Sequence, residues 1–237
     1  CSHAGSAHRR AGRPGEDRVG FTCLADGGLV LAVADGAGSA AHGAEGAERA
    51  VAACLAALTA LAREARSLGD LAWWTDRLRA EVQSIHAAVG GEAAAAYAAT
   101  LIGVGLYPGG AVAMQVGDGA AVVGTVDGRV AALTRPEHGE YVNETSFITS
   151  AGAAERAQIV VRPGGTREIR QVALFTDGIE PIAWNRAHDQ PHAPFFAPLF
   201  KLVSGPGADV ARLSAFLRSE RVAARTDDDV TLLLASR

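Results

Sequence analysis

Residues 18–36 read RVGFTCLADGGLVLAVADG, and this stretch decides the fold. An apolar run lies on each side of the Asp-Gly-Gly sequence at 26–28, which is typical of a β-hairpin turn. The stretch therefore predicts two antiparallel strands, at 18–24 and 29–34. Counting outward from the turn places residues 16–17 opposite residues 35–36, so that three acidic side chains and a glycine meet at the open end of the hairpin.

Further strands are predicted wherever a short apolar run is bounded by glycine, aspartate or proline. These runs cover 99–106, 111–117, 120–126, 129–133, 157–162, 171–176 and 229–235. Turn sequences such as Asp127-Gly128 separate several of them, which favours antiparallel pairing.

Two long helices are indicated by apolar residues spaced three and four apart, in the stripes Ala47–Ala62 and Leu71–Val89. A third helix is predicted over Ala208–Glu220. Strands and helices arrive in blocks along the chain. The predicted fold class is therefore α+β, a layered sandwich of two mainly antiparallel β-sheets flanked by α-helices, in a single domain over residues 1–237.

Composition and charge argue against several classes of protein. The 237 residues carry a net charge of −4 and no basic block, so a nucleic-acid partner is not expected. The longest uncharged stretch is interrupted by Pro108-Gly109-Gly110, so neither a transmembrane helix nor a membrane partner is expected.

The cysteines and the N-terminus indicate a cytoplasmic location. Cys1, Cys23 and Cys54 are odd in number and far apart, which supports neither a disulfide framework nor a zinc ribbon. The first residues are polar and lack the apolar core of a signal peptide. Because the chain starts at cysteine and not at methionine, its true beginning is expected upstream.

Acidic residues recur where apolar runs end. Asp35, Asp118 and Asp177 each follow such a run and precede a glycine, and Asp228 lies within three adjacent aspartates before the last run. Because the end of one strand lies beside the start of an antiparallel neighbour, all four sites are expected at one sheet edge.

Carboxylates gathered within about 4–6 Å raise each other's pKa unless a cation lies between them. Oxygen donors with few histidines or cysteines nearby favour Mg²⁺ or Mn²⁺ over Zn²⁺. Glycine at position 36 would also let a backbone carbonyl approach the ion. The alternative for any single Asp-Gly pair is an ordinary hairpin turn.

A nucleotide site is a weaker interpretation of the same region. Gly36-Ala37-Gly38 follows a strand and precedes a helix, but its spacing to Gly43 does not match the GxGxxG fingerprint. The pair Trp73-Trp74 is predicted to lie half in the core and half on the helix surface, and Phe195-Phe196 with Phe200 is predicted to pack in the core. Exposure of Trp73 and Phe196 would instead favour a partner surface.

Six motifs in a fixed order resemble the metal-dependent serine/threonine protein phosphatases of type 2C, in their compact bacterial form. The motifs are GRPGEDRVG (12–20), LAVADGAGSAAHGAEGA (31–47), AATLIGVGL (98–106), VGDGAAVV (116–123), LFTDGIE (174–180) and TDDDVTLLLA (226–235). Each one is weak by itself, whereas the ordered set spans nearly the whole chain.

The resemblance implies hydrolysis of phosphoserine and phosphothreonine in proteins by a hydroxide that bridges two Mn²⁺ or Mg²⁺ ions. Asp35 would bridge the ions, with Glu16 and the Gly36 carbonyl on one, and Asp177 and Asp228 on the other. Asp118 would bind a third, looser ion together with Asp177. Asp17 would support these ligands, and Asp227 and Asp229 lie one residue from the preferred Asp228. The implied partners are a phosphorylated protein substrate and, as a further candidate, a cognate kinase in a signalling pathway.

The chain departs from the family pattern at several positions. The arginine expected four residues before the first acid is Gly12, so Arg13 becomes the candidate phosphate ligand, with Arg9, Arg10 and His8 as alternatives. The histidine that follows the first Asp-Gly in many relatives is Ala37, and His42 is expected to be structural. Gly15 replaces an asparagine, and the surface flap between the third and fourth acids is short. These departures leave open a second hypothesis, a catalytically weak module that binds phosphoproteins or a partner kinase.

Overall fold

A computed structural model describes residues 1–64, 66–137, 145–164, 169–205 and 209–236. Its strands form two five-stranded antiparallel sheets and one small hairpin. The strands are β1 (Ser2–His3), β2 (Arg18–Cys23), β3 (Leu29–Ala34), β4 (Leu101–Tyr107), β5 (Gly110–Val116), β6 (Ala120–Thr125), β7 (Val130–Ala132), β8 (Gln158–Pro163), β9 (Ile169–Phe175), β10 (Trp184–Asn185), β11 (Gln190–Pro191) and β12 (Val230–Ser236).

The two sheets have simple strand orders. Sheet I runs β2-β3-β4-β5-β8, and sheet II runs β1-β12-β9-β6-β7. The pairings within both sheets are antiparallel. The predicted α+β sandwich of two mainly antiparallel sheets is therefore confirmed, and each predicted apolar run overlaps a strand.

Helices cover the outer faces of the sheets. They are α1 (Ser6–Arg10), α2 (Gly43–Arg63), α3 (Leu71–Gly90), α4 (Ala153–Arg156), α5 (Glu180–Ala183), α6 (Ala193–Ser204), α7 (Val210–Leu217) and α8 (Glu220–Ala223), with 3₁₀ turns at Gly91–Tyr97 and Asp177–Ile179. None of the helices in the described part of the chain combines the length and apolar character needed to cross a bilayer.

Strand β3 shows why the sheets need cover on both faces. Val30 and Ala32 pack beneath α2 and α3, whereas Leu31 and Val33 pack against residues of sheet II such as Val172. Successive side chains of a strand point to opposite faces, and both faces of β3 are apolar. The result is four layers, in the order helix, sheet, sheet, helix.

Two helical predictions need correction. The segment predicted as one helix over Ala208–Glu220 is two helices, α7 and α8, separated at 218–219, and Ala208 lies outside the described residues. Helix α6 was not predicted, because Pro194 and Pro198 interrupt its pattern and apolar residues occur all around it.

The aromatic residues of α6 behave as predicted from the sequence. Phe196 is fully buried against Phe175, and Phe200 packs beside it. Trp74 is buried and Trp73 is half-buried on α3. Phe196, Phe200 and Trp74 therefore belong to the core, whereas Phe195 is half-buried and packs against it.

Candidate active site

The first hairpin places two carboxyl groups face to face. Arg18 pairs with Ala34, so continuing the register by one residue brings Asp17 opposite Asp35, as predicted. The two carboxyl groups share a hydrogen bond. The Thr100 hydroxyl accepts a hydrogen bond from the Asp35 amide at 3.0 Å. This bond holds the end of β3 against the start of β4.

Sheet II contributes the other acids. Phe175 pairs with Leu232, so the chain after β9 runs alongside the chain that leads into β12. Gly178 lies so close to the Asp229 carbonyl that a Cβ atom at this position would overlap the oxygen. Glycine after Asp177 therefore allows the backbone contact that brings Asp177 beside Asp228.

The expectation that all four acidic sites share one sheet edge is wrong. Asp35 follows β3 in sheet I, whereas Asp177 and Asp228 flank β9 and β12 in sheet II. Asp118 lies on the link from β5 in sheet I to β6 in sheet II. The acids meet because these strand ends lie at the same end of the sandwich, so their proximity depends on sheet packing as well as on strand pairing.

Acids from the two sheets act on one another electrostatically. Burial, followed by the charges of Asp17, Asp177 and Asp228, raises the pKa of Asp35 well above its usual value. Burial and then the charges of Asp118, Asp228 and Asp17 raise the pKa of Asp177 to about 8. Acids from both sheets therefore oppose each other's ionisation.

Asp17 is held from several directions. The Thr176 hydroxyl donates to its Oδ2 at 2.8 Å, and Thr231 also hydrogen-bonds it. Burial, opposed by these hydrogen bonds, raises its pKa to about 6. Its Oδ1 and the Oε2 of neighbouring Glu16 are buried and have no hydrogen-bond partner. A buried oxygen without a donor is costly, so both atoms point to a missing electrophilic partner.

Asp118 lies at one side of this group. Burial raises its pKa, although the Thr145 hydroxyl donates to its Oδ2 at 2.6 Å and works in the opposite direction. The hydroxyl of the next residue, Ser146, donates to Glu137 Oε1 at 2.9 Å. Residues 138–144, which precede Thr145, lie outside the described residues.

The three adjacent aspartates have different surroundings. Asp229 is buried. Its carboxylate accepts hydrogen bonds from the Gly5 amide at 2.7 Å, the Glu16 amide at 2.5 Å and His8 Nδ1 at 2.7 Å. Asp228 is exposed and acts electrostatically on both Asp35 and Asp177. Asp227 lies 3.9 Å from Arg10. This arrangement fits the choice of Asp228 as the metal ligand, because the carboxylate of Asp229 is already engaged in hydrogen bonds within the protein.

The link between Asp229 and the N-terminal segment was not found from the sequence. Although burial opposes it, hydrogen bonds from Gly5, His8 and Glu16 lower the pKa of Asp229. The hydrogen bond with Asp229 in turn raises the pKa of His8. The only signal in the sequence was the surplus of acids at 227–229, which did not reveal a partner more than two hundred residues away.

Two of the four candidate phosphate-binding cations reach the acid cluster. Arg13 donates to Glu16 Oε1, and His8 Nε2 lies 3.8 Å from the same oxygen. Arg9 instead donates to the Ala4 carbonyl, and Arg10 faces Asp227. Arg13 is half-exposed at the rim, so its guanidinium lies between Glu16 and solvent.

The positions that depart from the family pattern are occupied by structural contacts. Ala37 has no ionisable side chain, and its amide donates to the Ala98 carbonyl at 2.9 Å. His42 stacks on Tyr97 with 5.0 Å between ring centroids, as expected for a structural residue. Gly15 lies against the Asp229 carboxylate, where a larger side chain would require movement.

The cluster is not a finished coordination sphere. Across the parts of the chain that the structure describes, no three acidic, histidine or cysteine side chains are arranged to hold a metal ion as they stand. What the geometry provides is a set of carboxylates at one end of the sandwich, most of them buried or half-buried, with Arg13 and His8 beside Glu16.

The sequence of this chain is similar to a known protein family and to a curated bacterial protein. Residues 4–218 match the family described as protein phosphatase 2C. The chain is 40% identical over 144 residues to serine/threonine-protein phosphatase 3 of Escherichia coli (strain K12), an alignment that covers 59% of this chain and 55% of that protein. The chain therefore aligns with about half the length of this curated relative.

Solved structures share the fold over the full chain. A bacterial serine phosphatase superposes with a TM-score of 0.65 at 15% identity, covering 100% of this chain and 95% of that one. The serine/threonine phosphatase of S. agalactiae gives a TM-score of 0.66 at 14% identity, covering 100% of this chain and 98% of that one. At these identities the similarity is one of fold.

Proposed function

Because the chain belongs to the protein phosphatase 2C family, we propose that it hydrolyses phosphoserine and phosphothreonine in proteins with the help of divalent cations. The observation that carries this proposal is the set of acids that two sheets bring to one end of the sandwich. Their pKa values are raised by burial and by one another, which is the environment that a cation stabilises.

The residues present fit a pair of hard cations. The donors are carboxylate oxygens, and two of them, Glu16 Oε2 and Asp17 Oδ1, are buried without a hydrogen-bond donor. Asp35 would bridge the two ions, with Glu16 and the Gly36 carbonyl at one and Asp177 and Asp228 at the other; Asp118, with Asp177, would hold a third, weaker ion. When bound, such ions neutralise phosphate oxygens and make hydroxide available near neutral pH.

The protein's own groups would orient the substrate and the acids. Asp229 holds the Glu16 backbone and thereby sets the position of that carboxylate. Thr176 and Thr231 hold Asp17 beside Asp35. At the rim, the exposed Arg13 guanidinium can turn from Glu16 toward a phosphate dianion, and His8, which Asp229 holds in place, lies beside the same carboxylate.

A second candidate function rests on the same rim. Arg13 is engaged with Glu16, and Ala37 provides no proton donor to a leaving group. A chain with these properties would bind phosphoproteins or a partner kinase and turn them over slowly. Measurable hydrolysis that depends on Asp35 would favour the enzyme, and cation binding without hydrolysis would favour the binding module.

The test is hydrolysis of a phosphothreonine peptide in Mn²⁺ by the wild type and by Asp35→Asn and Asp177→Asn. Each substitution keeps the shape of the side chain and removes a carboxylate, so we expect kcat to fall at least about a thousandfold without loss of fold. Asp127→Asn is the matched control, because Asp127 occupies a surface hairpin and pairs with Arg129. Wild-type turnover in Asp35→Asn would refute the proposal.

A further inference from the structure

A basic groove opens between the helices that cover sheet II. Its volume is about 1190 Å³, and its floor includes Trp184, Phe195 and Phe216. Phe195 and Phe216 lie with ring centroids 6.0 Å apart and are both half-buried, so they present aromatic surface to the opening. The volume exceeds the roughly 300–1,000 Å³ that is typical of small-molecule pockets and suits a peptide segment.

The rim of the basic groove carries one sign of charge. Lys201, Arg212, Arg221 and Arg225 line it, and the described lining residues include no aspartate or glutamate. All four cations are exposed. None of them has an ion pair with an acidic side chain among the residues that the structure describes. Although the chain has 26 acidic and 22 basic residues, the described lining of the groove carries four cations and no acid.

The basic groove is also close to the acid cluster along the chain. Pro181 lines it and lies four residues after Asp177, and Arg225 lines it and lies three residues before Asp228. At about 3.3–3.6 Å per residue, these segments span at most about 14 Å and 11 Å. An extended peptide of about four residues can therefore connect the acid cluster with the groove.

We infer that the basic groove docks an acidic segment of the phosphoprotein substrate, one in which aspartate or glutamate alternates with aromatic or aliphatic residues. This inference rests on the function proposed above. Apolar side chains of the segment would lie on Phe195 and Phe216, and its carboxylates would meet the four cations. The segment would lie four or more residues from the phosphorylated serine or threonine.

Other polyanions fit this surface less well. A nucleic acid or an anionic membrane presents an extended charged surface, whereas the aromatic residues on the floor of the basic groove are buried or half-buried and its four cations are exposed. A phosphate backbone would also lie near the carboxylates of Asp177 and Asp228. A peptide with alternating acidic and apolar residues can match both the floor and the rim.

The kinetic test uses two phosphothreonine peptides with the same phosphorylated core and a four-residue spacer. One continues into an alternating Glu/Leu/Phe segment and the other into a Gly/Ser segment of equal length, with the extension placed on either side. In Mn²⁺ we expect the acidic peptide to have a KM about tenfold lower at unchanged kcat. Arg221→Glu/Arg225→Glu should remove that advantage and leave the kinetics of the Gly/Ser peptide unchanged.

The matched control is Arg63→Glu, which reverses an exposed charge on α2, on the opposite layer of the molecule. It should keep the preference for the acidic peptide. Phe216→Ala tests the floor and should also weaken the preference, provided that its thermal unfolding shows a folded protein. If it does not fold, the arginine pair decides the outcome.

A binding measurement separates the groove from the chemistry. The unphosphorylated Glu/Leu/Phe peptide, labelled with fluorescein, is titrated with the wild type, Asp35→Asn and Arg221→Glu/Arg225→Glu while polarisation is followed. Docking is supported if the peptide binds the wild type and Asp35→Asn, and binds Arg221→Glu/Arg225→Glu about tenfold more weakly. This holds even if no peptide is hydrolysed, because the lack of hydrolysis would count against the proposed function alone. The inference is overturned if the peptide binds all three proteins equally or binds none of them. It is also overturned if only duplex DNA or phosphatidylserine vesicles, and not the peptide, bind in a way that depends on the two arginines.

Discussion

Asp229 shows how one buried side chain organises the N-terminal part of the site. Its two carboxylate oxygens accept hydrogen bonds from the Gly5 and Glu16 amides and from His8. These contacts tie the segment before β2 in sheet I to the start of β12 in sheet II. The neighbouring Asp227 and Asp228 are exposed and make no comparable set of contacts.

Replacing Asp229 should therefore be destabilising. We expect Asp229→Ala to lower the free energy of unfolding by about 3 kcal/mol, because it leaves two buried amides without acceptors. Asp229→Asn keeps one oxygen and should lose about half as much. Urea unfolding followed by circular dichroism measures both values.

The control for this prediction is Asp227→Ala. Its carboxylate is 78% exposed and 3.9 Å from Arg10, so removal should change stability by less than about 0.5 kcal/mol. If Asp229→Ala and Asp227→Ala unfold at the same urea concentration, Asp229 does not hold the two segments together.

At the scale of elements, the 3₁₀ turn Asp177–Ile179 lies directly against the entry to β12. Contact between Gly178 and the Asp229 carbonyl keeps the two backbones closer than any residue with a Cβ would allow. This contact holds the backbone that follows Asp177 beside the backbone that follows Asp228.

Gly178→Ala should therefore damage the site through the backbone. We expect it to cost about 2–4 kcal/mol of stability, because a methyl group would be forced into a packed backbone contact. Phosphopeptide hydrolysis should fall by at least about a hundredfold, since a small displacement of catalytic groups has a large effect on rate. Thermal unfolding and steady-state kinetics measure the two effects.

Gly109→Ala is the matched glycine substitution. A Cβ atom at this turn position would meet only Leu68 Cδ1, at 3.8 Å, which is an ordinary contact. Its activity should equal that of the wild type. Full activity in Gly178→Ala would mean that the close contact does not position the acids.

At the scale of the whole molecule, carboxylates from two sheets oppose one another across the end of the sandwich. Their ionisation therefore acts on the packing of the sheets. Burial, followed by the charges of neighbouring acids, raises the pKa of Asp177 to about 8, whereas this carboxyl group in the unfolded chain has its ordinary pKa of 3.8. The folded state thus binds more protons than the unfolded state throughout this interval.

This difference predicts the pH dependence of the chelated protein. In EDTA, the free energy of unfolding should fall as the pH rises from about 4 to about 8. Urea unfolding at a series of pH values measures the slope. Asp177→Asn should flatten it, because the amide does not titrate.

Adding Mn²⁺ to the same samples should raise the thermal midpoint more at pH 8 than at pH 5. Cation binding requires deprotonated carboxylates and relieves their repulsion. Equal stabilisation at both pH values, or stability of the chelated protein that rises from pH 5 to pH 8, would contradict the assignment of the cluster as a cation site.

Much of the fold and of the acid set could be predicted from local patterns. The apolar runs correspond to the strands, and the turn at 26–28 determined that Asp17 would face Asp35, because register in a hairpin follows from the turn. The 3,4 spacing located α2 and α3 to within a few residues. Helix α6 escaped because its prolines and uniform apolar character hide the helical period.

The remaining features depend on contacts between distant parts of the chain. Gly5 and Asp229 are 224 residues apart, and no local pattern links them. Three features arise only when the layers pack: acids from two sheets come together, His8 hydrogen-bonds to Asp229, and the basic groove forms between α5 and α8. Periodicity and turn chemistry act over a few residues, so they can be recognised in the sequence. Burial of apolar faces across the entire chain decides which strand ends and helices come together, and no local pattern records it.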